Sequence, residues 1–233
     1  MRNTMTLLSV LVACALCLSS CGGLTGKKTC CPASCTATCC ADTWQDLLKK
    51  DLSNASLREN GWTYVDGVLA TVGRKGSVWT TDQYGDCILD FDFKVDPQTN
   101  SGVFIRTGDT KSSVQTGIEI QIYDSFGKAE VGTHDCGAVY DCLAPSKNTV
   151  KEPGQWNHMT ITTKGPTLQV VMNGEQIIDM NLDDWDEAGF NPGEPKTKNK
   201  FKKAIKDFPR VGHIGFQDHG KKVWYKDIKI KAL

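Results

Sequence analysis

A chain that alternates apolar and polar residues at every second position can bury one clean face only if its backbone is extended. That pattern recurs through this sequence. Cys87 to Val95 sets Leu89, Phe91, Phe93 and Val95 against Asp90, Asp92 and Lys94. Ser101 to Thr107 sets Val103 and Ile105 against Phe104 and Arg106, and the run TGIEIQIYD at 116–124 sets three isoleucines against Glu119 and Gln121. Asp66-Gly67 joins Trp62-Thr63-Tyr64 to Val68-Leu69-Ala70, and Asn173-Gly174 sits between VVM and EQII. Such pairs favour two-residue type I′ hairpins, because both central residues need positive φ. Trp156–Thr162, Val211–Phe216 and Val223–Ile230 bring the total to roughly ten short strands, the signature of an all-β sandwich or jelly roll. Helical periodicity is scarce. Phe201, Ala204, Ile205 and Phe208 fall at i, i+3, i+4 and i+7 before Pro209, which predicts one short amphipathic helix inside a polar insertion. A second short helix is expected around Trp44 to Leu48.

The 233 residues carry 27 basic and 27 acidic side chains. This balance gives no reason to expect a nucleic-acid partner. Residues 1–20 read as a signal peptide: Arg2 is followed by a short apolar core from Leu7 to Leu18, too short to span a bilayer. Leu18-Ser19-Ser20-Cys21-Gly22 looks like a bacterial lipobox, with Cys21 as the lipidated mature N-terminus. The expected location is the cell envelope, on the periplasmic face of the outer membrane, with the membrane engaged through the lipid anchor. Residues 21–42 read as a flexible tether with cysteines at 30, 31, 35, 39 and 40. Without histidine or paired CxxC spacing these suit disulfides in an oxidising compartment better than a metal. Residues 43–233 form one domain able to bury a core. Within it Cys136 and Cys142 are candidates for a disulfide, and Cys87 for a buried thiol.

Several segments, in order, resemble one family: WTYVDGVLA, YGDCILDFDFKV, NSGVFIRTGD, TGIEIQIYD, CGAVYDCLAPSKN, PGQWNHMTITTKG, VMNGEQIIDMNLDD and VGHIGFQDHGKKVWYKDIKI. The set is similar to the 3-keto-disaccharide hydrolase family across nearly all of 43–233. The resemblance implies a concanavalin A-like jelly-roll sandwich of two curved antiparallel sheets, exported from bacteria. It also implies cleavage of glycosides whose glucose ring is oxidised to a ketone at C3, a small carbohydrate substrate. Two departures from the family pattern stand out, the cysteines bracketing Tyr140 and the lysine-rich stretch 196–206.

The polar face of 116–124 can then be weighed chemically. Ordinary glycoside hydrolysis needs two carboxyl groups, about 5–5.5 Å apart for retention and roughly 6.5–9.5 Å for inversion. Positions 119 and 121 are about 7 Å apart on a strand, but Gln121 can neither lose a proton nor form a glycosyl ester. Asp124 would need a bulge to join Glu119, as in laminarinase-like glucanases, whose E-x-D-x-x-E motif here reads E-x-Q-x-x-D. A 3-keto sugar relaxes the demand. The ketone acidifies the C2 proton, its loss expels the aglycone from C1, and water can add back. One base and one electrophile beside the C3 oxygen suffice.

The catalytic candidates are therefore Glu119 as base, Arg106 as the positive charge and His219 for proton transfer. Substrate-binding candidates are Gln121, Tyr123, Asp124, Tyr140, Lys147, Gln217 and Asp218, with Lys147 polarising the ketone and Asp218 orienting His219. His134, His158 and His213 read as spacers or surface residues. No cofactor is firmly implied; Glu119 with His219 leaves room for a divalent cation, but no His/Asp/Glu spacing demands one. Two competing readings are a non-catalytic carbohydrate-binding jelly roll, since fold does not settle function, and a hydrolase of unmodified glucans.

Overall fold

The computed structural model describes residues 43–73 and 76–233; the expected signal peptide, lipidated Cys21 and cysteine-rich tether lie outside them. The strands in chain order are β1 (Gln45–Asp46), β2 (Ala55–Ser56), β3 (Trp62–Val65), β4 (Val68–Thr71), β5 (Val78–Tyr84), β6 (Cys87–Val95), β7 (Asn100–Thr107) and β8 (Ile118–Tyr123). They continue with β9 (Asn157–Lys164), β10 (Thr167–Met172), β11 (Glu175–Asn181), β12 (Phe190–Asn191), β13 (Thr197–Lys198), β14 (Gly212–Phe216) and β15 (Val223–Ala232). One four-residue helix, α1 (Ser113–Thr116), lies between β7 and β8. Among the described residues the larger sheet runs β11-β10-β9-β6-β15-β4-β3, with β1 also paired to β15, and the smaller sheet runs β2-β5-β14-β7-β8. The pairings in both sheets are antiparallel. This is the expected jelly-roll sandwich.

The alternation fills the space between the sheets. β6 turns Leu89, Phe91, Phe93 and Val95 inward and leaves Asp90, Asp92 and Lys94 half-buried on the opposite face. β8 contributes Ile118, Ile120 and Ile122, all packed in the core with Val103, Ile105, Phe216 and Tyr225. Each buried isoleucine stabilises the sandwich by about 1.5–3 kcal/mol, so three of them fix the register of β8. A one-residue slip would exchange its two faces. Both expected hairpins form. Asp66 and Gly67 have φ of 50° and 78°, and Asn173 and Gly174 have φ of 53° and 85°, joining strands whose terminal pairs are Val65↔Val68 and Met172↔Glu175.

Both helix expectations fail, although the burial behind them is correct. Phe201, Ala204, Ile205 and Phe208 are all buried. Their backbone nevertheless forms no continuous helix: a single 3₁₀ turn at Ile205–Asp207 is flanked by Ala204 at ψ 139° and Phe208 at ψ 153°. Tertiary bonds hold this path: Lys202 N donates to Gln115 Oε1 at 3.0 Å and Lys206 N to the Trp185 carbonyl at 3.2 Å. At the N-terminal end, Leu47 and Leu48 are buried, but Leu47 N donates to the Ile228 carbonyl at 2.9 Å, extending the β1–β15 pairing instead of a helix.

The expected Cys136–Cys142 disulfide is absent; both are free buried thiols, as is Cys87. Backbone bonds from Cys142 N to the Val139 carbonyl (2.9 Å) and from Val139 N to the Leu143 carbonyl (3.0 Å) close that loop. Burial pushes both thiols up to about 12, which keeps them protonated and unreactive.

Candidate active site

The face of the smaller sheet turned away from the core carries the candidate site. Residues opposite one another across an antiparallel pair share a face. The register Asn100↔Tyr123, Gly102↔Gln121 and Phe104↔Glu119 therefore places Glu119, Gln121 and Tyr123 beside Asn100 and Gly102. Gln217 follows β14 and joins the same floor, its backbone N–H donating to the Gly102 carbonyl at 2.9 Å. Gly102 is needed for steric reasons. A Cβ there would come within 2.1 Å of Glu119 Oε1 and 2.8 Å of its Cδ, so the carboxylate leans over the space a side chain would take.

Two loops roof this floor. Residues 137–140 pair along the free edge of β8: Gly137 N donates to the Gln121 carbonyl (2.8 Å), Gln121 N to Ala138 (2.9 Å) and Tyr140 N to Glu119 (2.9 Å). That covers an otherwise open edge and fixes Tyr140 above the floor. The insertion supplies Lys200. Its backbone N donates to Asp141 Oδ2 at 2.7 Å, its carbonyl accepts from Gln115 Nε2 of α1 at 3.2 Å, and its Nζ donates to Tyr140 Oη at 2.7 Å.

Glu119, Gln121, Tyr140, Lys200, Gln217 and His219 line a cavity of about 140 Å³ together with Asn100 and Val114. Glu119 is only 7 % exposed, and no described residue hydrogen-bonds its carboxylate. Burial pushes it from the ordinary 4.5 up to about 7, against the pull of nearby Lys200. The buried oxygens Oε1 of Gln121 and Oε1 of Gln217 have no hydrogen-bond partner. Buried acceptors are seldom left unpaired, so their presence in one cavity marks a place for a ligand rich in hydroxyl donors. A wider cleft of about 560 Å³ shares Asn100, Gln121 and Tyr140 with this cavity and adds Tyr123 and His134.

Of the sequence candidates, Glu119, Gln121, Tyr140, Gln217 and His219 come together and Tyr123 adjoins them. Arg106 does not. Its φ of 51° coincides with a register break between β14 and β7, and this bulge ends the alternation that would have put it beside Phe104. Its guanidinium is buried, donating to Asp86 Oδ1 (2.9 Å), the Gly85 carbonyl (3.3 Å) and the Gly165 carbonyl (2.8 Å). It is a strut tying the β5–β6 turn to the β9–β10 turn. Asp124 accepts from Gln98 N at 2.8 Å and Lys147 pairs with Glu175 at 2.6 Å, both outside the two cavities. Asp218 also lies outside them, closing its turn by accepting from Gly220 N at 2.9 Å.

Sequence reasoning missed Lys200, Asn100 and His134. Asn100 was legible, one residue before the expected strand start and in phase with Gly102. Lys200 sits among several equivalent lysines, and only the fold selects it. His134, set aside as a spacer, stacks on Tyr140 with ring centroids 4.8 Å apart and bonds Asp141 Oδ1 through Nε2 at 2.9 Å. His158 and His213 are held elsewhere, His158 between Asp90 and Asp92 and His213 at the Thr80 carbonyl.

For a metal the donors are poor. Among the described residues no group of three or more His, Cys, Asp or Glu side chains is arranged to hold an ion.

A family model described as the 3-keto-α-glucoside-1,2-lyase-like domain matches residues 41–231. The chain belongs to that family. A 3-keto-disaccharide hydrolase of Bacteroides thetaiotaomicron is 24% identical over 203 residues, 74% of this chain and 70% of the relative. The crystal structure of a candidate glycosyl hydrolase from Parabacteroides distasonis is 36% identical, with a TM-score of 0.77 over 82% of this chain and 100% of that one. A Bacillus subtilis carbohydrate-binding module, CBM66, shares the fold at 8% identity and a TM-score of 0.50 over 79% of this chain and 99% of the module. Membership of the 3-keto-α-glucoside-1,2-lyase-like family makes this a chain of a glycoside-acting enzyme family, with a carbohydrate as its substrate.

Proposed function

We propose that the domain cleaves 3-keto-glycosides by removing the proton at C2, with Glu119 as the base. The observation that carries this reading is that Glu119 stands as the single carboxylate of its cavity among the described residues. The carboxylate that lines the adjoining cleft, Asp135, is committed to Lys128 Nζ at 2.8 and 2.7 Å and to Gly132 N at 2.8 Å. Among the described residues two-carboxylate hydrolysis has no second partner in this cavity, whereas a reaction on a ketone-activated ring needs one base only.

The expected chemistry follows from the positions. Glu119, held near 7 by burial, is matched to proton transfer at neutral pH. It takes the C2 proton, and the C2–H electron pair moves toward C3, placing enolate charge on the ketone oxygen. Lys200 Nζ and Tyr140 Oη, 2.7 Å apart, are the donors suited to receive that charge. Collapse of the enolate forms the C1–C2 double bond and breaks the C1–O bond, and the departing oxygen takes a proton. His219, exposed at the cavity rim, is placed to supply it. The products are a 2-hydroxy-enone and an alcohol. Addition of water, hydroxyl to C1 and proton to C2, converts the enone into the 3-keto sugar and makes the net reaction a hydrolysis.

The lipobox-like residues 18–22 support an envelope location for this activity, with the domain anchored by Cys21. Incubation of the protein with a methyl 3-keto-α-glucoside, with products read by mass spectrometry, tests the reaction. Release of methanol and the enone or 3-keto-glucose is expected from the wild type and not from Glu119→Gln. Full activity of that variant, or turnover of the unoxidised glucoside instead, would sink the reading.

A further inference from the structure

The two cavities meet along Asn100, Gln121 and Tyr140, which line both. Gln121 is 3 % exposed; its Nε2 donates to Asn100 Oδ1 at 3.2 Å while its Oε1 stays unpartnered. An amide so placed is half satisfied, with its acceptor free at the junction of the two spaces.

Beyond the junction the cleft is built rather than incidental. The 128–135 loop is tied down by Lys128 and Gly132 N on Asp135. His134 is 59 % exposed in its side chain, yet its ring is fixed twice, against the Tyr140 ring and at Asp141 Oδ1. Asp141 is itself anchored, its carbonyl accepting from Asn191 Nδ2 at 3.0 Å. A single hydrogen bond from a solvent-facing imidazole contributes little net stability, so holding the histidine in one orientation achieves mainly the shape of the cleft wall. Tyr123 supplies another ring on the floor.

A disaccharide substrate, the kind in the relative's name, brings a second sugar ring as its leaving group; we infer that this cleft is the subsite for that ring and that His134 determines specificity there. The inference rests on the function proposed above, in which the oxidised ring lies over Glu119. C1 adjoins C2, so the bond that breaks falls near the Gln121–Tyr140 junction and the departing group extends into the cleft. A sugar suits both kinds of surface present. Its C–H faces pack on the Tyr123 and His134–Tyr140 rings, and its hydroxyl edge can donate to Gln121 Oε1. A methyl group would fill none of this space, and a flat aryl group would leave the amide oxygen unpaired.

The test compares kcat/KM for a 3-keto-α-glucosyl disaccharide and for methyl 3-keto-α-glucoside, in the wild type, His134→Ala and His134→Phe. The ratio of disaccharide to methyl glycoside is expected to fall about tenfold in His134→Ala, through the disaccharide KM. His134→Phe, which keeps a ring face, is expected to restore most of it. An unchanged ratio, or an equal loss on both substrates, overturns the subsite while leaving the reaction standing. Wild-type protein that turns over neither substrate overturns the proposed reaction and the subsite with it.

Discussion

Replacing Glu119 by glutamine should separate the stability cost of a buried carboxylate from its chemical use. In the folded chain Glu119 titrates at about 7 instead of the ordinary 4.5. Between these values the folded state holds a proton that the unfolded state has released. Stability therefore falls as pH rises from about 4.5 to 7 and levels off above 7. At roughly 1.4 kcal/mol per pH unit, that interval corresponds to about 3 kcal/mol. Glutamine keeps the shape and has no proton to lose. Denaturant unfolding of both proteins at pH 4, 5, 6, 7 and 8 should give curves that converge at low pH. Above pH 7, Glu119→Gln should be more stable by about 3 kcal/mol. The same substitution should lower turnover of a 3-keto-glucoside by at least about a thousandfold at pH 7.5, within the range for removing a general base. In the wild type, kcat/KM should rise with pH through about 7 as the base loses its proton. Parallel stability profiles would show that Glu119 is not buried as a charge, and the reasoning from cavity to base would fail with it.

Gly102→Ala puts a methyl group where Glu119 Oε1 lies. Displacing the base by about 1 Å should lower kcat by roughly a hundredfold, with circular dichroism unchanged; undiminished kcat would contradict the placement. Arg106→Leu removes three hydrogen bonds and a buried charge but touches no cavity residue. It should cost about 3 kcal/mol in denaturant unfolding and retain near-normal kcat in the cold, and selective loss of kcat in a fully folded protein would restore the catalytic role that its sequence position suggested. Lys200→Met removes the cation that pulls Glu119 downward. The pH at which kcat/KM reaches half its maximum should move upward and kcat should fall; an unmoved profile would show that Lys200 does not act on the base.

Much of the sandwich could be read from the chain because period-two alternation is a local statement. Leu89 and Phe91 are in phase whatever the rest of the molecule does, and Asn173-Gly174 needs only its own two dihedrals to turn. The same local rule put Glu119, Gln121 and Tyr123 on one face and the isoleucines on the other. It failed where a single residue left the pattern. Arg106, at φ 51°, took its side chain out of phase, and nothing in NSGVFIRT announces the bulge. At 201–208 the spacing foretold correctly which side chains are buried and misjudged the backbone, since an apolar repeat reports burial and not the bonds that satisfy it.

What the sequence determined by itself was therefore the faces of the strands, the two tight turns and the absence of a second carboxylate at position 121. Tertiary structure alone decided which lysine joins Glu119 and that His134 lines the adjoining cleft. Lys200 is 81 positions away in the chain and is held by bonds to Gln115, Tyr140 and Asp141. The shift of Glu119 to about 7 belongs to the same level. A carboxylate's affinity for its proton depends on how much water surrounds it, and the two loops that exclude water here, at 137–140 and around Lys200, come from distant parts of the chain.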